Sequence, residues 1–130
     1  MAESLVKYTA VTGIVTINVQ NPNRDGTGTL GTVLTATQDG VIINSITVKA
    51  VNSTSQGMVR LFIDNGAGTV LLFKEQLIPA TTPSSKVQTY SITIPITFPL
   101  QSGYILKAST EKSEDFIITA EASSWENCSC

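Results

Sequence analysis

Val59-Arg60-Leu61-Phe62-Ile63, closed by Asp64-Asn65-Gly66-Ala67-Gly68 and followed by Thr69-Val70-Leu71-Leu72-Phe73, decides how this chain is read. Val59, Leu61 and Ile63 recur with period two, which in an extended strand sets them on one face and Arg60 and Phe62 on the other. The intervening Asp, Asn and Gly residues are those that tolerate the positive φ of a tight hairpin connection. The stretch therefore predicts antiparallel strands over 58–64 and 69–76. In the second, Leu71 and Phe73 are expected to be buried on one face, with Val70 and Leu72 on the other.

The same period extends in both directions. Ile46-Thr47-Val48-Lys49-Ala50, Tyr90-Ser91-Ile92-Thr93-Ile94 and Phe116-Ile117-Ile118-Thr119-Ala120 alternate in the same way. Upstream, strands are predicted over 14–19, with Val15, Ile17 and Val19 on one face, and over 29–37, where Gly31 marks a bulge or an edge. A further strand over 41–51 is expected to point Ile42, Ile46, Val48 and Ala50 inward. Downstream, 87–98 aligns Tyr90, Ile92, Ile94 and Ile96, and its Pro95 points away at an edge or bulge because proline cannot donate to a ladder. Strands over 104–109 and 115–122 complete a set of about eight, spaced at roughly 8–12 residues, which is the pattern of a sandwich or barrel. No helical-period segment is long enough to connect parallel strands, so the sheets should be antiparallel. The fold class is all-β: a single-domain antiparallel β-sandwich over 13–125. Before it, 1–12 is weakly patterned and reads as a short helical turn or as an arm laid on a neighbouring subunit. After it, 126–130 reads as a C-terminal tail.

Composition bounds the function. At 130 residues the chain is one domain, large enough to bury a core without disulfides or a metal. Charged residues are 14% of the chain, against about 25% in typical globular proteins, and Ser and Thr take their place. Few charges suit faces that partners cover, because an unpaired charge is costly to bury. With a net charge of −2 and no basic run, the chain lacks the cations that nucleic-acid binding needs. No stretch approaches the ~18 apolar residues of a membrane span. Met1-Ala2-Glu3-Ser4-Leu5 lacks the positive start and apolar run of a secretory signal, so synthesis in a cytoplasm is expected.

Chemistry-bearing motifs are few. The absence of histidine removes serine- and cysteine-type triads as normally built. Asp25, Asp39, Asp64 and Asp115 fall in turns, and Glu75 and Glu121 stand alone in strands, so no carboxylate pair for glycoside hydrolysis is visible. Asn21-x-Asn23-x-Asp25-Gly26 matches the first half of a calcium loop, yet position twelve is Thr32 instead of a bidentate Glu, and a polar turn is the reading kept. Cys128-Ser129-Cys130 offers two thiols for a soft metal, a strained disulfide or a crosslink, and as a chain terminus it reads first as a frayed tail. No enzyme, cofactor or resident metal is expected.

The outward faces are more informative. Met58 and Phe62 lie opposite Val59, Leu61 and Ile63, while Ile105 and Ile117 lie opposite Tyr104/Leu106 and Phe116/Ile118. Apolar residues on faces that should be polar mark covered surface. Trp125, the one tryptophan, follows the last strand as a potential anchor. With Leu5, Val6 and Tyr8 of the arm, these eight residues form the candidate interface. The competing explanations are that some of these faces are assigned to the wrong side of their strands, or that an arm covers them.

Asp25-Gly26-Thr27-Gly28-Thr29-Leu30-Gly31-Thr32-Val33-Leu34, Gly57 to Gly68, and Leu100-Gln101-Ser102-Gly103-Tyr104-Ile105-Leu106-Lys107-Ala108-Ser109 resemble small structural proteins of tailed phages of Bacteroidetes hosts, crAss-like phages included. The resemblance runs from about Leu5 to Trp125 and rests on turn-and-strand motifs. It implies a jelly-roll-like sandwich located in the virion, an auxiliary or decoration protein of the head. Its implied partners are copies of itself and other virion proteins, the major capsid protein foremost. The Cys128-Ser129-Cys130 tail has no counterpart in that pattern. The rival readings are a receptor- or glycan-binding module of a tail or head fibre, working through loops 52–57 and 79–85, and, more weakly, a metal-assisted hydrolase.

Overall fold

A computed structural model describes residues 4–129 as eight strands. They are β1 (Ser4–Ile17), β2 (Gly31–Thr35), β3 (Gly40–Ala50), β4 (Gly57–Asp64), β5 (Val70–Ile78), β6 (Ser91–Gln101), β7 (Ile105–Thr110) and β8 (Phe116–Ser129). They form two four-stranded antiparallel sheets, ordered β1-β8-β3-β6 and β2-β7-β4-β5. Every connection except the β4–β5 hairpin carries the chain from one sheet to the other. The all-β sandwich expected from the period is present, and the strand order is compatible with a jelly roll.

The hairpin is a product of its own residues. The Asp64 carboxylate accepts from the Gly66 amide at 2.8 Å, and the Asn65 side-chain oxygen accepts from Ala67 and Thr69 at 2.8 and 3.1 Å. These Asx contacts close the turn locally, which is why it is legible from six residues.

Between the sheets lie Val41, Ile43, Ile46, Val48, Val59, Leu61, Ile78, Leu100, Leu106, Phe116 and Ile118, each essentially without exposed surface. Burying a side chain of this size is worth about 1.5–3 kcal/mol, so this layer dominates stability. The sheets approach closely where β1 passes β2: a Cβ on Gly13 would run into the Val33 carbonyl and the Leu34 Cβ. At the opposite side Phe73 and Phe98 pack with ring centroids 4.6 Å apart.

Three expectations about faces are corrected. Ile42 does not point inward; Val41 and Ile43 do, because an extra residue at Asn44 breaks the β3 register against both neighbours and shifts the parity of the residues beyond it. Leu71 is 65% exposed instead of buried, since β5 is an edge strand with its own bulge at Phe73. Val19 lies beyond β1 and is exposed. The edge signals at Gly31 and Pro95 correspond to edge strands β2 and β6, both with register shifts.

The segment 1–12 is neither a helical turn nor a detached arm in its described part. Ser4 to Thr12 runs without interruption into the rest of β1, and all fourteen residues of β1 pair with β8, from Ser4↔Ser129 to Ile17↔Phe116. Glu126 to Ser129 of the expected tail belong to that same ladder. Met1, Ala2, Glu3 and Cys130 lie outside the described residues.

Candidate interaction surfaces

Two outer faces and one strand edge carry the candidate residues. On the outer face of the β2-β7-β4-β5 sheet, Arg60 is 2% exposed and holds a charged group together. Its Nε donates to Glu75 at 3.0 Å, its Nη2 to Glu111 at 3.0 Å and its Nη1 to the Pro22 carbonyl at 3.4 Å. Arg24 adds a second contact to Glu75 at 2.8 Å. The guanidinium is rigid, planar and multiply donating, which suits a site shared by two carboxylates and a carbonyl. The Arg60 hydrogen bond first, and the nearby Arg60 and Arg24 charges after it, hold the Glu75 carboxyl below the ordinary 4.5. A general acid in glycoside hydrolysis needs the opposite shift, so this carboxylate is suited to structure.

Pro22 and Arg24 belong to the loop 18–30, which these contacts lay across the sheet. Asn21 anchors it: its amide donates to the Thr110 carbonyl at 2.8 Å, and its side chain donates to Thr27 and Thr29 carbonyls at 3.0 and 2.9 Å. The Asn21 oxygen accepts from the Asn23 amide, and Asp25 accepts from the Thr27 amide and hydroxyl, contacts that lower the Asp25 pKa from 3.8. Oxygens of two of the three half-calcium positions, Asn21 and Asp25, are thus engaged inside the loop, as in a polar turn.

That loop decides the fate of Phe62. Phe62 does lie opposite Val59 and Leu61, outside the main core, yet it has no exposed surface. Leu72 and Lys107 flank it across the sheet, Lys107 being drawn to Asp64 at 2.9 Å, and the loop passes over the same face from Arg60 to Val70. Its expected exposure to a partner is therefore corrected: the chain covers Phe62 itself. Met58 and Ile105 share this outer face at opposite ends of β4, both half-buried.

The outer face of the other sheet brings candidate residues together. Tyr8 and Trp125 are direct cross-strand partners, with Val6 and Ala10 next to Tyr8 on the same side of β1. Trp125 lies against Gly40, where an added Cβ would meet the indole at 2.8 Å; a side chain there would lift the ring off the sheet. Tyr8 is 61% exposed, Val6 48% and Leu5 50%, the last facing the other way. Ile117 shares the face with Trp125 but stands eight residues along β8, beside Thr16 and Lys49. The reading of single residues missed Ile14, 64% exposed on this face; taking 4–17 as one strand places it in phase with Val6 and Tyr8.

The pairings also define an edge. β3 accompanies β8 only as far as Gly40↔Trp125, so beyond it Ser4 to Lys7 and Glu126 to Ser129 form a two-stranded ribbon. Asp39 staples its base: its amide donates to the Trp125 carbonyl at 3.1 Å and its carboxylate accepts from the Asn127 amide at 2.7 Å. Lys7 and Glu126 face each other at 3.9 Å.

No family model and no curated protein matches the chain. Two solved structures, both pentameric capsid proteins isolated from metagenomic phage sequences, overlap 85% of it, with TM-scores of 0.43 and 0.41 and identities of 16% and 14%. The overlap takes in 61% and 59% of those proteins, so the chain spans about three-fifths of their length. A likeness at that level assigns neither fold nor function to this chain.

Proposed function

We propose that the chain is a non-enzymatic structural protein of a phage virion, an auxiliary or decoration component of the head that works through contacts with its own copies and with neighbouring virion proteins. The observation that carries this reading is the apolar character of the projecting ribbon and its surroundings. Leu5, Val6 and Tyr8 are about half exposed or more, and Ile14 is exposed beside them. A two-stranded ribbon is marginal in water, so a contact that covers it stabilises the fold as well as the assembly. Repetition by symmetry lets many such weak contacts hold a lattice. The phage resemblance of the loop and strand motifs points the same way. Met58, Ile105, Ile117 and Trp125 complete the proposed contact set.

The loops that a glycan-binding module would use are tied to each other and to the turn after β7. Thr54 and Thr81 exchange backbone hydrogen bonds at 2.9 and 3.0 Å, and Ser55 donates to Glu114 through amide and hydroxyl. Quantitative mass spectrometry of purified virions tests the proposal. Copies in the hundreds relative to the major capsid protein are expected. A handful of copies transfers the chain to the tail and favours receptor binding, and its absence ends the virion reading.

A further inference from the structure

The four edge strands of the sandwich are not equally protected. β2 is five residues long and bulged, β5 is bulged and carries Lys74 and Glu75, and β6 carries Pro95 and Pro99. Short length, bulges, charges and prolines all discourage strand addition. β1 has none of these defences: it is fourteen residues long, its ladder has no register shift, and its one charge, Lys7, faces Glu126.

The direction of its free hydrogen-bonding groups is fixed by its neighbours. The Trp125 carbonyl and Asn127 amide are turned toward Asp39, away from β1. Trp125↔Tyr8 and Asn127↔Val6 are therefore the non-hydrogen-bonded pairs of the β1–β8 ladder. Val6, Tyr8, Ala10 and Thr12 consequently present their N–H and C=O groups to the open edge.

We propose that this edge pairs with the same edge of a second copy, antiparallel about a two-fold axis at Tyr8, joining two four-stranded sheets into one of eight strands. The sequence is self-complementary in that register. Tyr8 meets Tyr8 of the partner subunit, Val6 meets the partner's Ala10, Leu5 meets the partner's Val11, and Lys7 meets the partner's Thr9, so no like charges oppose each other. Trp125 beside each Tyr8 extends the central pair to four aromatic rings in a row. Strand addition through main-chain bonds is a general recognition mode, and here the occupant that the edge fits is itself. This deepens the structural reading above and rests on its self-contact component.

Sedimentation velocity on the full chain tests it, independently of whether virions contain the protein. A concentration-dependent dimer is expected for the wild type below roughly 100 µM. Tyr8→Lys and Tyr8→Glu are each expected to sediment as folded monomers, and an equimolar mixture to recover a one-to-one dimer. Ala10→Pro removes a free-edge N–H without touching the β1–β8 bonds and should also give a folded monomer. A wild type that stays monomeric, or single variants that associate as well as the wild type, overturns the proposal. So does a mixture that fails to associate while both variants keep their sheet circular dichroism. Copy number in virions moves with none of these outcomes.

Discussion

Phe62 and Arg60 sit two residues apart on the same face, and both are buried under a loop whose Pro22 carbonyl lies 38 residues from Arg60 in the chain. Phe62→Ala should cost about 3–5 kcal/mol, the range for emptying a buried phenylalanine site, and urea denaturation of the variant measures it. A much smaller loss would mean that the loop leaves Phe62 accessible in solution. Glu75 gives a pH signature. Its folded pKa is depressed below 4.5, so the stability it contributes is complete above that value and is lost as the pH falls through the folded pKa. Glu75→Gln should lower the urea midpoint at pH 7, and the gap to wild type should close as the pH falls below 4.5 and through the lowered folded pKa. A gap that is constant across that window would show that the Arg60 and Arg24 contacts do not favour the ionised form. Alternation placed Phe62 on the correct side of its strand, but period two carries no information about what lies over that side.

At the scale of elements, β8 is the strand whose environment changes most along its length. From Phe116 to Trp125 it is flanked by both β1 and β3, whereas from Glu126 onward β1 is its one neighbouring strand. Amide hydrogen exchange should therefore show strong protection through Ser124 and a drop after Trp125, with Asn127 retained by the Asp39 carboxylate. Uniform protection to the end of β8 in a monomeric sample would contradict this. The β3 bulge shows where strand-level reading stops. Ile42 and Ile43 are equally apolar, and only the extra residue at Asn44, set by pairing with β6 and β8, decides which of them enters the core. Gly31 and Pro95 were readable because glycine's backbone freedom and proline's missing N–H belong to the residue itself, whatever the neighbours do.

For the whole molecule, the first and last strands are partners, and the rest of the sandwich is threaded between them. Function at this scale depends on which surfaces remain open once the chain has covered itself. The loop 18–30 covers Arg60 and Phe62 on one outer face, while β1 leaves an unguarded edge and an apolar flank, which is why virion copy number and sedimentation are the measurements that separate the readings. The eight strands, the antiparallel sandwich, the hairpin at Asp64–Gly68 and the poverty of catalytic groups are all written in the order of the residues. Those properties reside in residue type and in a period that each strand carries alone. Three further features arise on folding: the expected arm and tail form one ribbon, Phe62 is covered, and Tyr8 stands beside Trp125. Each of these joins residues far apart in the chain through sheet order and register, and no local pattern encodes that pairing.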